Sequence, residues 1–507
     1  MQALVIVLAM LGASAPSPKP DESDSVQLGT IPDDILELAG KASLDEDDDE
    51  SPAADDDDED EDEDESDEDG VASLGEIPAD ILAAANDAGD EDDDESDTGE
   101  GERPRRRRAR TKGWHTFDLF WRGEVAAGYR RHGVRLTKLE SAVWGRFHAG
   151  ARRFRFVAEG EGAVDGVFYL DSINGPGFDD SDAERRYGTR GRLQELTANL
   201  EDRSWQLSIG AQHVVWGKSF LFRVADRVNP LDLRQWFLAD FLAVRLVLPM
   251  IRWRSTLGPI QTDAFVSPFP RFQRWPAIGS EFDLSPALPA GAGILLPSRY
   301  RPQDAELGFR VAYVRPRGDL GLSLHRGWHQ ALVVSDGSGF VVAHPQVISG
   351  ALDASVRVRA FVLRLEALGR GIQPVYPAGR ERAVTLPRGE GAALAAVDWQ
   401  PAFNSSWSLE TTMSTVVPSA GGMEIGGAFA GLVGSQGLFR DQIVLGIRAM
   451  TDLRLAGAFV MPSLRFAFFD RADFIVSYTG FYGRTSPVNG PLYNHDRVSL
   501  AIELNIF

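Results

Sequence analysis

The sequence predicts an all-β protein: a transmembrane antiparallel β-barrel of about 14 strands (12–16), preceded by a disordered acidic tail. Three observations carry this expectation. From Trp114 onward, apolar residues recur with a period of two. Many alternating segments hold 10–13 residues, whereas globular strands average about 5–6 and membrane strands need roughly 9–11. Aromatic residues gather at the ends of several segments, among them Trp114 and Tyr129, Trp205 and Trp216, and Tyr478 and Tyr482. A lipid–water boundary favours aromatics at those places.

In chain order, the first element is an apolar stretch from Ala3 to Leu11 followed by Ala13-Ser14-Ala15. It reads as a secretory signal spanning residues 1–15, although no Lys or Arg precedes the apolar run. Residues 16–112 form the tail. Of the 75 acidic residues, 38 lie in 16–102, beside only Lys19 and Lys41. Such dense like charge cannot collapse around a core. Two copies of Leu-Gly-x-Ile-Pro-x-Asp-Ile-Leu interrupt it, at Leu28–Leu36 and Leu74–Leu82. Proline suits the first turn of a helix and acids suit its positive end. Ile31, Ile35 and Leu36 in one copy, and Ile77, Ile81 and Leu82 in the other, give each short helix an apolar stripe. Two or three turns do not stand alone in water, so a periplasmic partner's groove is one expected fate; a duplication without a partner is the other. The linker RPRRRRARTK (103–112) then reverses the charge. For an exported chain, anionic lipid or the tail's own acids fit it better than nucleic acid.

The remainder, 113–507, carries 37 acids and 43 bases, so the net charge of -23 describes the tail and not the body. There is no cysteine, which excludes disulfides and thiolate metal sites. Apart from the leader, no apolar run reaches the roughly 18 residues of a spanning helix; Phe237–Ile251 is broken by Asp240, Arg245 and Pro249.

The strands of the body each have two unlike faces. Phe117, Leu119, Trp121, Val125, Ala127 and Tyr129 oppose Asp118, Arg122, Glu124 and Arg130. Trp205, Leu207, Ile209 and Ala211 oppose Gln206, Ser208, Gly210 and Gln212. Leu307, Phe309, Val311 and Tyr313 oppose Glu306, Gly308 and Arg310, while Trp407, Leu409 and Met413 oppose Ser408, Glu410 and Thr412. A soluble sandwich would bury the apolar faces between sheets, and a membrane barrel would turn them to lipid. Strand length favours the barrel. Residues 171–190, 268–304 and 332–350 read as long loops. The chain ends on Phe507, a residue that barrel-insertion machinery commonly reads, but Val498, Leu500, Ile502, Leu504 and Ile506 occupy the opposite parity.

One stretch breaks the rhythm. QHVVWGKSFLFRVADRVNPLDLR (212–234) stops at Trp216-Gly217 and carries charge and Asn-Pro through apolar surroundings. Irregular backbone at membrane depth is tolerated only where it faces protein or water. Residues 216–245 are therefore expected to fold inward as a constriction or plug. Wall residues of opposite charge should partner Asp226, Asp232 and Arg234, and the chain should re-enter the wall near Arg245. Pro230 lacks a donor and steers Asn229 out of the helical region.

Trp216-Gly217, Asp226-x-x-Asn229-Pro230-x-Asp232-x-Arg234 and then Pro249 resemble a family of bacterial outer-membrane barrels of formerly unknown function. Its members often accompany a lipid-carrier-like protein and an exporter of the resistance-nodulation-division class. The resemblance spans 115–507 in architecture and this stretch in motif; the tail lies outside it. It implies a channel for hydrophobic or amphipathic molecules in the outer membrane of a Gram-negative bacterium, with no enzymatic step and no cofactor.

The residues on their own support no catalytic set. His325 and His329 in HRGWH lack an adjacent carboxylate in sequence, and the Gly-rich runs GAGILLP and GGAFAGLVG lack a strand-then-helix setting. The expected pore or plug residues are Trp216, Asp226, Asn229, Pro230, Asp232 and Arg234, with Arg122, Arg130 and Arg310 on the bore's wall. Reversing Arg122 and Arg310 to Glu should reverse a mild preference for anions. The alternative is an outer-membrane anchor or assembly component working through the two repeats. Expected partners are outer-membrane lipid, the insertion machinery at the last strand and a periplasmic protein, but no nucleic acid.

Overall fold

The computed structural model describes residues 113–507 apart from 131–132, 171–187, 236–243, 275–292, 296–303, 331, 336–339, 374–385, 470, 484–494 and 507. The leader, the tail, Ile31, Ile35, Leu36, Ile77, Ile81, Leu82, the basic linker and Phe507 lie outside the described residues.

Alternation becomes strand after strand: β1 (Trp114–Arg130), β2 (Gly133–Ala151), β3 (Phe154–Asp165), β4 (Thr189–Asp202), β5 (Trp205–Gln212), β6 (Leu248–Leu257) and β7 (Ile260–Ser267). After the short β8 (Gly293–Leu295) come β9 (Glu306–Arg315) and β10 (Gly318–Trp328), then the short β11 (Leu332–Ser335) and β12 (Phe340–Ala343). β13 (Gln346–Val358), β14 (Phe361–Ile372), β15 (Gly389–Ala402), β16 (Ser405–Val417) and β17 (Glu424–Leu438) follow. β18 (Ile443–Asp452), β19 (Gly457–Phe469), β20 (Ala472–Tyr482) and β21 (Asp496–Asn505) complete the wall.

Eighteen of these strands form one antiparallel sheet. Each pairs with its neighbours along the chain, and β1 pairs with both β2 and β21, so the sheet closes on itself. Closure leaves no unpaired edge, which is the condition for a sheet to cross a bilayer. The count of about 14 is too low. Wall strands such as β15 and β17 carry Gly and Ala where Leu or Phe would mark the outer face, so their alternation has little amplitude. The run GGAFAGLVG is wall, within β17. The stretch 332–350 is not one loop either: it holds the β11–β12 hairpin, beside which β8 runs parallel, and the start of β13.

The period of two sorts the side chains. Ile209, Leu322, Leu365 and Leu409 are each more than half exposed on the outer face. Their chain neighbours Ser208, Ser323, Glu366 and Glu410 point inward and are buried. The exterior is therefore apolar and the interior polar, the inverse of a soluble core. At the end where β1 begins and β21 finishes, the connections span two to four residues. One of them turns through Gly258 at φ 58°, a left-handed conformation that suits a tight hairpin. The long connections lie at the opposite end, and the longest stretch of described irregular chain joins β5 to β6.

Candidate functional site

Residues 213–235 and 244–247 belong to no long helix or strand, yet most of their side chains are buried. Without a ladder, each backbone N–H and C=O there needs another partner. The partners come from inside the barrel, and they carry the segment across its bore.

The base of the segment is apolar. Val214, Trp216 and Val228 pack with Leu248, Met250 and Phe265 of β6 and β7. Trp216 also donates its indole N–H to Asp263 Oδ2 at 2.9 Å and lies 5.4 Å from the Phe265 ring. Asn229, fully buried, ties the two stems together. Its Oδ1 accepts from Val214 N at 2.7 Å, and its Nδ2 donates to Leu246 O at 2.8 Å. Pro230 needs no donor partner, and its carbonyl accepts from Leu246 N at 2.9 Å. The Asn-Pro pair thus closes the loop on itself.

From this base an arm, residues 217–225, extends along the wall. Gly217 gives the closest approach: a Cβ there would sit 2.9 Å from both Cβ and N of Asp226 and 3.2 Å from Glu366 Oε1. The arm meets Glu366 on β14, which accepts from the backbone N–H of Lys218, Ser219 (3.0 Å) and Ala225 (2.8 Å). Next comes Glu410 on β16, which accepts from Phe220 N (2.7 Å), Leu221 N (3.0 Å), Phe222 N (3.3 Å) and Ser219 Oγ (2.6 Å). Arg364 of β14 bonds Glu410 Oε1 at 3.1 Å and the Lys218 carbonyl, with its guanidinium 4.2 Å above the Phe220 ring. Lys218 Nζ pairs with Asp319 of β10 and lies 3.4 Å from Asp353 of β13. At the tip, Phe222 is fully buried with its ring 6.3 Å from that of Phe429 on β17. β17 stands half-way round the wall from β5, where the segment begins. The arm thus reaches the side of the barrel opposite the strand from which the segment starts.

Asp226 and Asp232 are hydrogen-bonded to arginines of the segment itself, where the sequence points to wall partners. Asp226 Oδ2 is shared by Arg245 (2.6 Å from Nη2) and Arg223 (3.2 Å from Nε). Burial opposes the Asp226 charge, but Arg245 and then Arg223 hold its carboxyl below the ordinary carboxylate range. Arg234 grips Asp232 with two bonds, 2.8 and 2.6 Å, and Arg274 stands 3.6 Å away. The wall acids instead serve the arm's backbone. Arg245 pairs with Leu231 in an isolated bridge, and the wall resumes close by, at Leu248.

Arg310 faces inward and binds Asp353 at 2.8 Å, beside Lys218. Arg122 also faces inward but sits away from the arm, between Glu503 (2.9 Å) and Glu124 (3.1 Å). Arg130 closes β1, and its side chain lies outside the described residues. Both described arginines are ion-paired, so reversing them would break pairs as well as change the bore's charge. His325 and His329 do have carboxylate partners, each its own: Glu306 at 3.3 Å and Glu390 at 2.9 Å. Both acids come from other strands, which spacing within HRGWH could not show. Glu366, Arg364, Arg223 and Gly217's contact were missed. Glu410 was visible as a polar-face residue, but a strand's own pattern does not say which backbone will approach it.

No family model and no curated protein matches the chain. Among solved structures it is similar to Pseudomonas aeruginosa OccK8 (OprE), at 10% identity, covering 77% of this chain and 98% of that one with a TM-score of 0.45. Pseudomonas aeruginosa OccK2 (OpdF), solved in complex with glucuronate, is similar at 12% identity over 78% and 98% with a TM-score of 0.45. Salmonella typhi OmpF, solved with daunomycin, gives 9% identity over 77% and 97% and a TM-score of 0.40.

Proposed function

We propose that this chain is a passive channel in the outer membrane of a Gram-negative bacterium, and that residues 213–235 and 244–247 narrow its bore. The observation that supports this most is the arm itself: a buried polar segment that runs inside a closed barrel from β5 to β17. A barrel used only as an anchor has no need of so many positioned contacts in its lumen. The solutes are small and hydrophobic or amphipathic, as the resemblance of the Asn-Pro stretch to outer-membrane barrels beside resistance-nodulation-division exporters implies. No step in this reading breaks or makes a covalent bond.

Among its described residues the segment holds five bases (Lys218, Arg223, Arg227, Arg234, Arg245) and two acids. Facing them from the wall stand Arg310 and Arg364 and the acids Asp319, Asp353, Glu366 and Glu410, so bases lead acids only slightly. Charge lining a narrow passage favours solutes of the opposite sign, and a mild preference for anions and anionic amphiphiles follows. The test is the reversal potential across a planar bilayer holding the purified chain under a salt gradient. An anion-side potential that declines in Arg227→Gln is expected; a folded barrel without conductance overturns the reading.

A further inference from the structure

Five amides of the arm, those of residues 218–221 and 225, donate to two wall carboxylates and to no strand ladder. The Phe222 amide donates to Ser219 Oγ at 2.8 Å and also reaches Glu410 Oε2 at 3.3 Å. Both oxygens of each carboxylate are used. At Glu366, Oε1 takes Lys218 and Ser219 while Oε2 takes Ala225. At Glu410, Oε1 takes Phe220 and the Arg364 guanidinium, while Oε2 takes Leu221, Phe222 and the Ser219 hydroxyl. Apolar contact adds to this hold: Phe222 meets Phe429 at the tip, and Val224 and Ala225 are also buried.

We propose that Glu366 and Glu410 are the latch of a movable arm: they hold residues 217–225 against the far wall, and removing either charge frees the arm and widens the bore. The widening rests on the channel reading; the latch itself does not. Glutamine is the informative replacement. It matches glutamate in shape, but one of its two terminal atoms is a donor, which would face backbone N–H groups that need acceptors. Those donors are then buried without partners, and the arm's bound position loses its advantage over a detached one.

The experiment uses the full-length chain in lipid with Glu366→Gln, Glu410→Gln and the double variant. Glu195→Gln is the control. Glu195 also faces the lumen, and its hydrogen bond is to Thr197 on its own strand, away from the arm. The control thus changes lumen charge equally. Ser219→Ala is a milder second variant in case a glutamine variant fails to insert, and heat-dependent gel mobility verifies folding. Amide exchange over 218–225 should quicken about tenfold or more in the glutamine variants, since hydrogen bonds to charged acceptors are worth more than one factor of ten each. Single-channel conductance should rise in the same variants and stay at the wild-type value in Glu195→Gln. Unchanged exchange in the folded double variant overturns the latch, whatever the conductance. Faster exchange with unchanged conductance overturns the gating of the bore. A silent wild-type chain with normal exchange shifts would overturn the channel reading and leave the latch standing.

Discussion

Asn229 shows how one side chain can hold both stems of a loop together. It is fully buried, so replacing it with Ala takes away the side-chain partners of Val214 N and Leu246 O. A loss of about 2 kcal/mol or more in stability is expected, read from urea-induced unfolding in lipid vesicles. An unchanged midpoint would show that the stems hold without it. His213, at the foot of the same loop, adds a pH dependence. Its pKa is lowered to about 4, first by burial and then by Arg245. Above the ordinary value of 6.5 both folded and unfolded chains carry it neutral, and stability is complete. As pH falls from there to about 4, the unfolded chain takes a proton that the folded chain does not, and stability is lost. The unfolding midpoint should therefore fall further over that window in the wild type than in His213→Gln.

At the scale of the element, the arm stays close to the wall only because residue 217 has no side chain. A methyl group there would press on the backbone of Asp226, which cannot yield as a flexible side chain could. Gly217→Ala is expected to lift the arm and admit trypsin at Lys218 or Arg223 in the folded barrel, sites that resist cleavage in the wild type. Equal resistance would mean that the backbone shifts elsewhere. The sequence marked this segment as foreign to the wall through Trp-Gly, Asn-Pro and charge amid apolar residues, all local signals. Its partners were not legible, because Glu366 and Glu410 lie about 150 and 190 residues beyond the arm. Hydrogen bonds from backbone to distant carboxylates leave no periodicity. The same locality explains the strand count. Alternation reveals a strand when Leu or Trp alternates with Ser, as at Trp407–Thr412, and hides it where Gly and Ala fill the outer face, as in β17.

At the scale of the molecule, outward Leu, Ile and Trp around a polar interior make a barrel whose solvent on one side is lipid. The absence of native cysteine allows single spin labels to be placed at will. Labels at Leu322→Cys and Leu365→Cys should relax faster with lipid-soluble oxygen, and one at Ser323→Cys should not; the reverse pattern would turn the wall inside out. Inside that wall lies the arm, and the proposed function rests on its narrowing of the bore. Gln212 pairs directly with Leu248, so β5 and β6 can be joined by a short hairpin turn in place of residues 213–247. The most direct measurement is single-channel conductance of the wild type beside this shortened chain. The wild type should conduct and the shortened barrel should conduct several times more. Equal conductance in two folded barrels, or none in either, would contradict a lumen narrowed by its own inward segment.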